Sequence, residues 1–353
     1  MYSIRSFLSH VALAIFNYGV IEFALTVLAV VNVLAFVLYF VDKRRAVKGK
    51  FRISEKTLVI VTILFGGLGA VLAMVWCRHK TRKPKFKAAA IIGMAAFLVP
   101  VIHIAHSLTL DRVIRYVEVN FYAENWPEAL NGYRIAFMAD FHMIPHEDMA
   151  AVAAELNTRD IDLVLLGGDF TQRDDFYQGT LREIANIRAT HGIFGVMGNH
   201  DHRIDLAQAK ANHGMTLLRN EGVHIVDNFF VAGVDDLWWG EPDVVAATRQ
   251  AGAEDFVLLI SHNPDVAMGA GMSGVDLVLA GHTHGGQMTF FGYPIYLHRG
   301  SISQYGTRFA RGFAYGAYDT PVFTTAGIGV YYNIPRVFNP PEVVIFTFYQ
   351  RAG

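Results

Sequence analysis

Apolar residues are distributed along this chain in two different ways. Before residue 111 they form long runs. Val20–Val41 is apolar except for Glu22, Thr26 and Asn32, Leu58–Trp76 is apolar but broken by Gly66, Gly67 and Gly69, and Ala88–Ala105 is a third run. About 20 residues at 1.5 Å each cover the roughly 30 Å hydrocarbon core of a bilayer. Residues 1–110 are therefore predicted to be an all-α transmembrane module. Phe7–Tyr18 is apolar as well, and either lies in the interface or lengthens the first helix. A cleaved signal peptide is rejected, because no small-residue cleavage site follows and two further apolar runs do.

Beyond a connector at Asp111–Asn131, where Trp126-Pro127 signals a turn, the apolar runs shorten and alternate with amphipathic stretches. Extended fully, such a connector reaches at most about 70 Å. Strands are predicted at Tyr133–Ala139, Asp162–Leu166, Ile193–Met197, Val223–Val226, Phe229–Val234, Phe256–Ser261, Val275–Ala280 and Val343–Phe348. Helices are predicted at Glu147–Thr158, Gly179–Thr190, Arg203–His213 and Pro242–Ala251. Residues 132–353 thus read as an α/β domain with helices outside paired sheets.

Five of these apolar runs end in metal-type side chains. LVLLGGDF delivers Asp169, YRIAFMADFHM Asp140 and His142, GIFGVMGNHD Asn199, His200 and Asp201, VLLISHNPD His262, and LVLAGHTHGGQ His282 and His284. The carboxyl ends of strands are where α/β folds place their chemistry. Singly, each Asp could cap a helix and each His could be a hydrogen-bonded core residue. Together they describe a cluster that is electrostatically costly without a cation.

Composition changes the picture only in places. Hydrophobic residues make up 53% of the chain and mean hydropathy is +0.30, an excess that sits almost wholly before residue 111. Net charge is −1 and the isoelectric point about 7.0, so no basic surface indicates a nucleic-acid partner. The single cysteine, Cys77, excludes an internal disulfide and a cysteine-rich zinc site. There are 15 histidines, five of them in the five motifs; His202, His213 and His224 fit no ligand position.

DFH, GGDF, GNHD, SHNPD and GHTHGGQ, in that order, resemble the calcineurin-like metallophosphoesterase superfamily over nearly all of residues 133–349. The resemblance implies a four-layer αββα sandwich and two divalent metal ions clamping a phosphate, with Mn, Fe or Zn better suited than Ca to mixed Asp, His and Asn ligands. It implies Asp169 as the bridging ligand, Asp140, His142 and His284 on one metal, and Asn199, His262 and His282 on the other. It implies a metal-bridging hydroxide as nucleophile, His200 as general acid and Asp201 as the group orienting that imidazole. Phe141 and Phe170 stand where relatives often carry Leu. Gly233-Val-Asp-Asp, Tyr305-Gly306, Ala310-Arg311-Gly312 and Asn339-Pro-Pro-Glu342 are similar to bacterial membrane-associated or exported phosphodiesterases, some of which act on lipid-linked substrates such as UDP-2,3-diacylglucosamine. Residues 20–105 resemble a small bacterial membrane family of unknown function.

The expected function is a membrane-anchored phosphoesterase for a phosphodiester or pyrophosphate bond, with a lipid or lipid-linked substrate and the bilayer as partners. A metal-binding scaffold, a soluble-substrate phosphodiesterase and a nuclease are the competing readings; no protein partner is indicated. Arg308 and Arg311 are candidates for substrate phosphate or for structural ion pairs. Trp238-Trp239, Phe290-Phe291 and Tyr293 are either packed in the core or an apolar rim for an acyl chain or bilayer surface.

Resemblance to bacterial proteins implies the inner membrane, with several passes. Seven basic residues from Lys43 to Lys56 precede the glycine-broken run, and six from Arg78 to Lys87 follow it. The positive-inside tendency wants both groups in the cytoplasm. A run that enters and returns satisfies this and sends the catalytic domain outside; a run that spans does not.

Overall fold

In the computed structural model, the described residues are 19–351 apart from 172–176, 202–204, 206–211, 296, 298–301 and 332–333. Phe7–Tyr18 and most of the helix predicted at Arg203–His213 lie outside them. The chain divides into two compact units, Met1–Leu108 and Thr109–Gly353.

The first unit is helical: α1 (Val20–Val47), α2 (Glu55–Ile63), α3 (Gly67–Trp76) and α4 (Pro84–Leu108). Among the described residues, only α1 and α4 are long and apolar enough to cross a membrane. They leave apolar side chains such as Val30, Val33, Ile91 and Ile92 exposed. The middle run is a hairpin of two short helices, each about 15 Å long or less, turning at Phe65, whose φ is +64°. Its two ends meet, because Lys80 Nζ donates to Glu55 Oε1 at 2.8 Å. Its tip is tied to α1 by Asn32, which donates to the Phe65 carbonyl at 3.0 Å and accepts the Gly69 N–H at 2.9 Å. Gly67 lies against α4, where a Cβ would sit 2.1 Å from the Gly93 carbonyl carbon.

The second unit contains two six-stranded sheets. In chain order its main elements are β1 (Arg115–Ala123), β2 (Tyr133–Met138), α5 (His146–Leu156), β3 (Leu163–Leu166), α6 (Tyr177–Ala185), β4 (Ile193–Gly195), β5 (Met215–Leu217), β6 (Glu221–Val226), β7 (Phe229–Gly233), α7 (Val244–Thr248), β8 (Phe256–Ser261), β9 (Leu277–Ala280), β10 (Gly312–Tyr315), β11 (Pro321–Thr324) and β12 (Glu342–Gln350). One sheet has the order β1-β12-β2-β3-β4-β5 and the other β10-β11-β9-β8-β7-β6. Alternate residues of each central strand face opposite ways. Ile135, Phe137, Val344 and Phe346 join Leu258, Ile260 and Leu279 between the sheets. Ala136, Met138, Val343 and Ile345 pack outward with Met149, Val152, Leu181 and Ile184 of α5 and α6. Phe230, Ala232, Val257 and Leu259 pack with Val244 and Ala247 of α7. The result is the expected helix–sheet–sheet–helix sandwich.

The connector expected at 111–131 is not a connector. Residues 115–123 form β1, paired in parallel with β12 from Arg115↔Glu342 to Ala123↔Gln350. Trp126 is fully buried and stacks on Phe348 at 4.6 Å. The segment belongs to the second unit, so the 70 Å tether does not exist. Two strands in the tail, β10 and β11, were also absent from the sequence reading.

Candidate metal centre

Each motif leaves its strand through a sharp turn, and the turn residues are themselves the donors. Asp140, His142, Asp169, His282 and His284 have φ of +57°, +41°, +57°, +71° and +51°. Non-glycine residues in this region cost of order 1–3 kcal/mol each and collect at functional sites. Close approach is needed too: a Cβ on Gly198 would lie 2.3 Å from Asp169 Oδ1.

All seven expected ligands converge and all are buried. His142 Nε2 lies 2.9 Å from His284 Nε2 and 3.4 Å from Asp169 Oδ2, and His284 Nε2 lies 3.4 Å from Asp140 Oδ1. Asn199 Oδ1 lies 2.9 Å from His282 Nδ1 and 3.1 Å from His262 Nε2, with those two nitrogens 3.2 Å apart. A cation about 2.1 Å from its donors holds neighbouring donors roughly 3 Å apart. Asp140, His142 and His284 form one possible metal group, and Asp140, Asp169 and His262 another, so Asp140 borders both halves.

The donor chemistry fits a cation. His262 Nδ1 faces the Gly167 carbonyl at 2.7 Å, and His282 Nε2 faces the Ile302 carbonyl at 3.1 Å. Carbonyls only accept, so those nitrogens carry the protons. When both rings are neutral, as ligation requires, their other nitrogens turn bare lone pairs at each other and at an amide oxygen. Charge follows the same logic. Burial pushes His142 and His282 down to about 3, which keeps them neutral and ready to ligate. Burial works against charge on His262 as well, but the Asp169 carboxylate, 3.2 Å from its Nε2, outweighs it and raises that imidazole. A proton there occupies the place of a cation.

His200 stands beside the ligands. Its ring lies 5.2 Å from that of His142, and its main-chain N–H donates to Asp169 Oδ1 at 2.9 Å. Asp201 does not do what the resemblance implied. Among the described residues, its carboxylate is bonded by the main-chain N–H groups of Asp169, Phe170 and Gly198 at 2.6, 2.8 and 2.8 Å, and not by the His200 imidazole. It holds two ligand loops together. Phe141 and Phe170 are fully buried and stacked on each other at 5.4 Å beneath those loops.

The substrate candidates divide. Trp238 meets the His282 ring edge-on at 4.6 Å and walls the centre; Trp239 beside it is 75% exposed. Asp236 Oδ2 accepts both of their main-chain N–H groups, at 2.9 and 2.7 Å. Arg311 is committed elsewhere, in an ion pair with buried Glu342. Arg308 donates to the Tyr315 carbonyl.

Two residues near the centre, Tyr331 and Arg336, escaped the sequence reading, and a third, Asn339, was read only as part of a family motif. The Tyr331 ring lies 5.3, 5.5 and 5.8 Å from those of His142, His200 and His284. Arg336 is buried and donates twice to the Gly329 carbonyl. Asn339 donates to the His284 carbonyl at 2.5 Å. The available signal was the short strand Pro321–Thr324 running through Thr325 and Ala326 into Gly327, like the motifs before it.

Comparison with known proteins agrees with this geometry. Residues 133–286 match the calcineurin-like phosphoesterase family, and residues 32–86 match a family described as a protein of unknown function, DUF1294. The chain is 29% identical over 237 residues to the uncharacterized metallophosphoesterase YkuE of Bacillus subtilis, covering 63% of this chain and 80% of that one. It is 28% identical over 233 residues to the phosphodiesterase YaeI of Escherichia coli, covering 60% and 81%. It is 26% identical over 257 residues to a transmembrane protein with metallophosphoesterase domain of Danio rerio, covering 65% and 56%. The chain is thus a metal-dependent phosphoesterase. It carries a calcineurin-like phosphoesterase domain behind a DUF1294 helical module, and the apolar helices of that module fit a membrane association.

Proposed function

We propose that this chain is a membrane-anchored phosphoesterase that uses two divalent metal ions to hydrolyse a phosphodiester or pyrophosphate bond in a lipid-linked substrate. The metal-dependent chemistry rests on seven convergent donors. The lipid-linked substrate rests on one observation: the chain leaving α4 is bonded into the metal centre. Asp111, three residues beyond Leu108, accepts the main-chain N–H groups of Phe338 and Asn339 at 2.7 and 2.9 Å. Asn339 in turn holds the His284 carbonyl. If α4 spans a bilayer, the reacting phosphate is met close to its surface.

Asp140, His142 and His284 would hold one cation, Asn199, His262 and His282 the other, with Asp169 shared. When bound, such ions supply a nucleophilic water at neutral pH and neutralise charge on the phosphoryl oxygens. The remaining work falls to side chains. His200, half-buried beside His142, is placed to protonate the departing oxygen. Trp238 and the exposed Trp239 offer an apolar wall to the organic part of the substrate. The filled ligand set favours an enzyme over a scaffold.

The test is an assay of the purified full chain with Mn²⁺ on paired substrates. Lipid and nucleotide-lipid phosphoesters in mixed micelles should be cleaved much faster than soluble analogues with the same head group. Equal rates on both would remove the lipid from the proposal while leaving the phosphoesterase intact.

A further inference from the structure

An aromatic turn of the second unit has no part in the chemistry above. Phe290 and Tyr293 exchange main-chain hydrogen bonds at 2.8 and 3.0 Å around Phe291-Gly292. Both central residues have positive φ, +49° and +88°, the geometry of a type I′ hairpin turn. That turn favours Asn-Gly or Asp-Gly, and a bulky ring at its first central position is an outlier. Phe290, Phe291, Tyr293 and Ile295 are nevertheless 50%, 51%, 63% and 55% exposed.

The turn's base is fixed. Thr289 donates its main-chain N–H and its hydroxyl to the Val337 carbonyl at 3.0 and 2.7 Å, and its hydroxyl accepts the Gly292 N–H at 3.0 Å. The Phe291 ring packs on that of Phe338 at 5.1 Å, and the Phe338 N–H is the one that Asp111 accepts. Asp111 is flanked in sequence by Leu110 and Val113, 53% and 59% exposed. It lies no more than about 10 Å of extended chain beyond the end of α4. The exposed aromatics are therefore held next to the point where the apolar helix delivers the chain.

We propose that the turn Phe290–Tyr293 inserts into the headgroup layer of the bilayer that holds α4, and so fixes the mouth of the metal centre against the lipid surface. The inference rests on the anchoring reading above. Aromatic rings are favoured at that depth. A lipid surface is preferred to a second copy of the chain because Asp111, which holds the Phe338 N–H beneath the Phe291 ring, lies only three residues beyond the end of apolar α4.

The experiment uses the full chain in nanodiscs of phosphatidylethanolamine and phosphatidylglycerol. Cys77, the only thiol, is replaced by serine, and an environment-sensitive fluorophore is attached to Phe291→Cys, to Val245→Cys on the exposed face of α7, and to Val30→Cys within α1. The label at 291 should emit to the blue of the label at 245 and be quenched several-fold more by acyl-chain spin-labelled lipid. Tyr293→Cys repeats the measurement should Phe291→Cys fail to fold. A label at 291 as unquenched as at 245, with 30 quenched, overturns the insertion and leaves the anchor. A blue shift without quenching points to protein covering the turn, and overturns it too. No quenching at 30 removes the anchor and the inference together.

Discussion

The carboxylate of Asp201 accepts the main-chain N–H of Asp169 at 2.6 Å. The residue assigned to both metals is thus positioned by the second neighbour of Asn199, through the backbone. The same carboxylate takes the N–H groups of Phe170 and Gly198, so it closes the GGDF loop on the GNHD loop. Removing it leaves three buried donors unpaired, each costing about 1–3 kcal/mol. Asp201→Ala should lower the unfolding midpoint and the bound metal together. A role in orienting His200 would instead lower turnover at unchanged stability, so a melt and a metal assay on one sample separate the two.

Asp169→Asn removes the shared charge while keeping the shape. It should lower bound metal and abolish nearly all turnover. Unchanged metal content with full activity would end the two-metal assignment.

His200 lies next to the proposed ligand Asn199 and against the His142 ring, outside the donor cluster. His200→Gln should retain metal and lose roughly 10²- to 10⁴-fold in turnover, most for poor leaving groups. Loss of metal in that variant would make His200 a ligand.

The pH dependence of metal binding has a definite sign. Asp169 holds the His262 imidazole above its ordinary value against the opposing effect of burial. In the metal-free protein the resulting stabilisation is full below the ordinary histidine range and fades as pH rises through the raised value. A cation must displace that proton. Affinity should therefore rise with pH, by up to about tenfold per unit for each proton released. Calorimetry in buffers of different ionisation enthalpy counts the protons; an affinity flat across the neutral range contradicts this account.

What the sequence made legible follows from locality. The five motifs are each a strand and its own turn, so donors and scaffold are read from about ten residues at a time. The four layers followed from the same strands and from the resemblance. Long-range pairing was not legible. Residues 115–123 alternate apolar and polar positions, but their partner β12 lies at the other end of the unit, and an edge strand half open to solvent carries a weak apolar signal. Tyr331 and Arg336 reach the centre from a loop whose own sequence has no histidine or carboxylate. Asp201 was misassigned because adjacency to His200 in sequence says nothing about which way a carboxylate turns.

The last prediction concerns orientation. The hairpin of α2 and α3 brings both ends of the glycine-broken run together, since Glu55 pairs with Lys80 and Lys83 at 2.8 and 2.6 Å. Asp42, near the end of α1, pairs with Arg52 and Lys80 at 2.8 and 3.4 Å. The two basic groups, seven residues and six, therefore gather at one end of the helical unit. The positive-inside tendency assigns that end to the cytoplasm. From there α4, 25 residues and about 37 Å long, is enough to cross the hydrocarbon core. The chain from Thr109 onward should then lie outside the cytoplasm. In intact cells a membrane-impermeant thiol reagent should leave wild-type Cys77 unlabelled, because it borders the second basic group. A Cys77→Ser, Val245→Cys variant, whose new thiol replaces a side chain 63% exposed, should be labelled without lysis. Labelling of Cys77 from outside, with position 245 reached only after lysis, would invert the protein and place its catalytic unit in the cytoplasm.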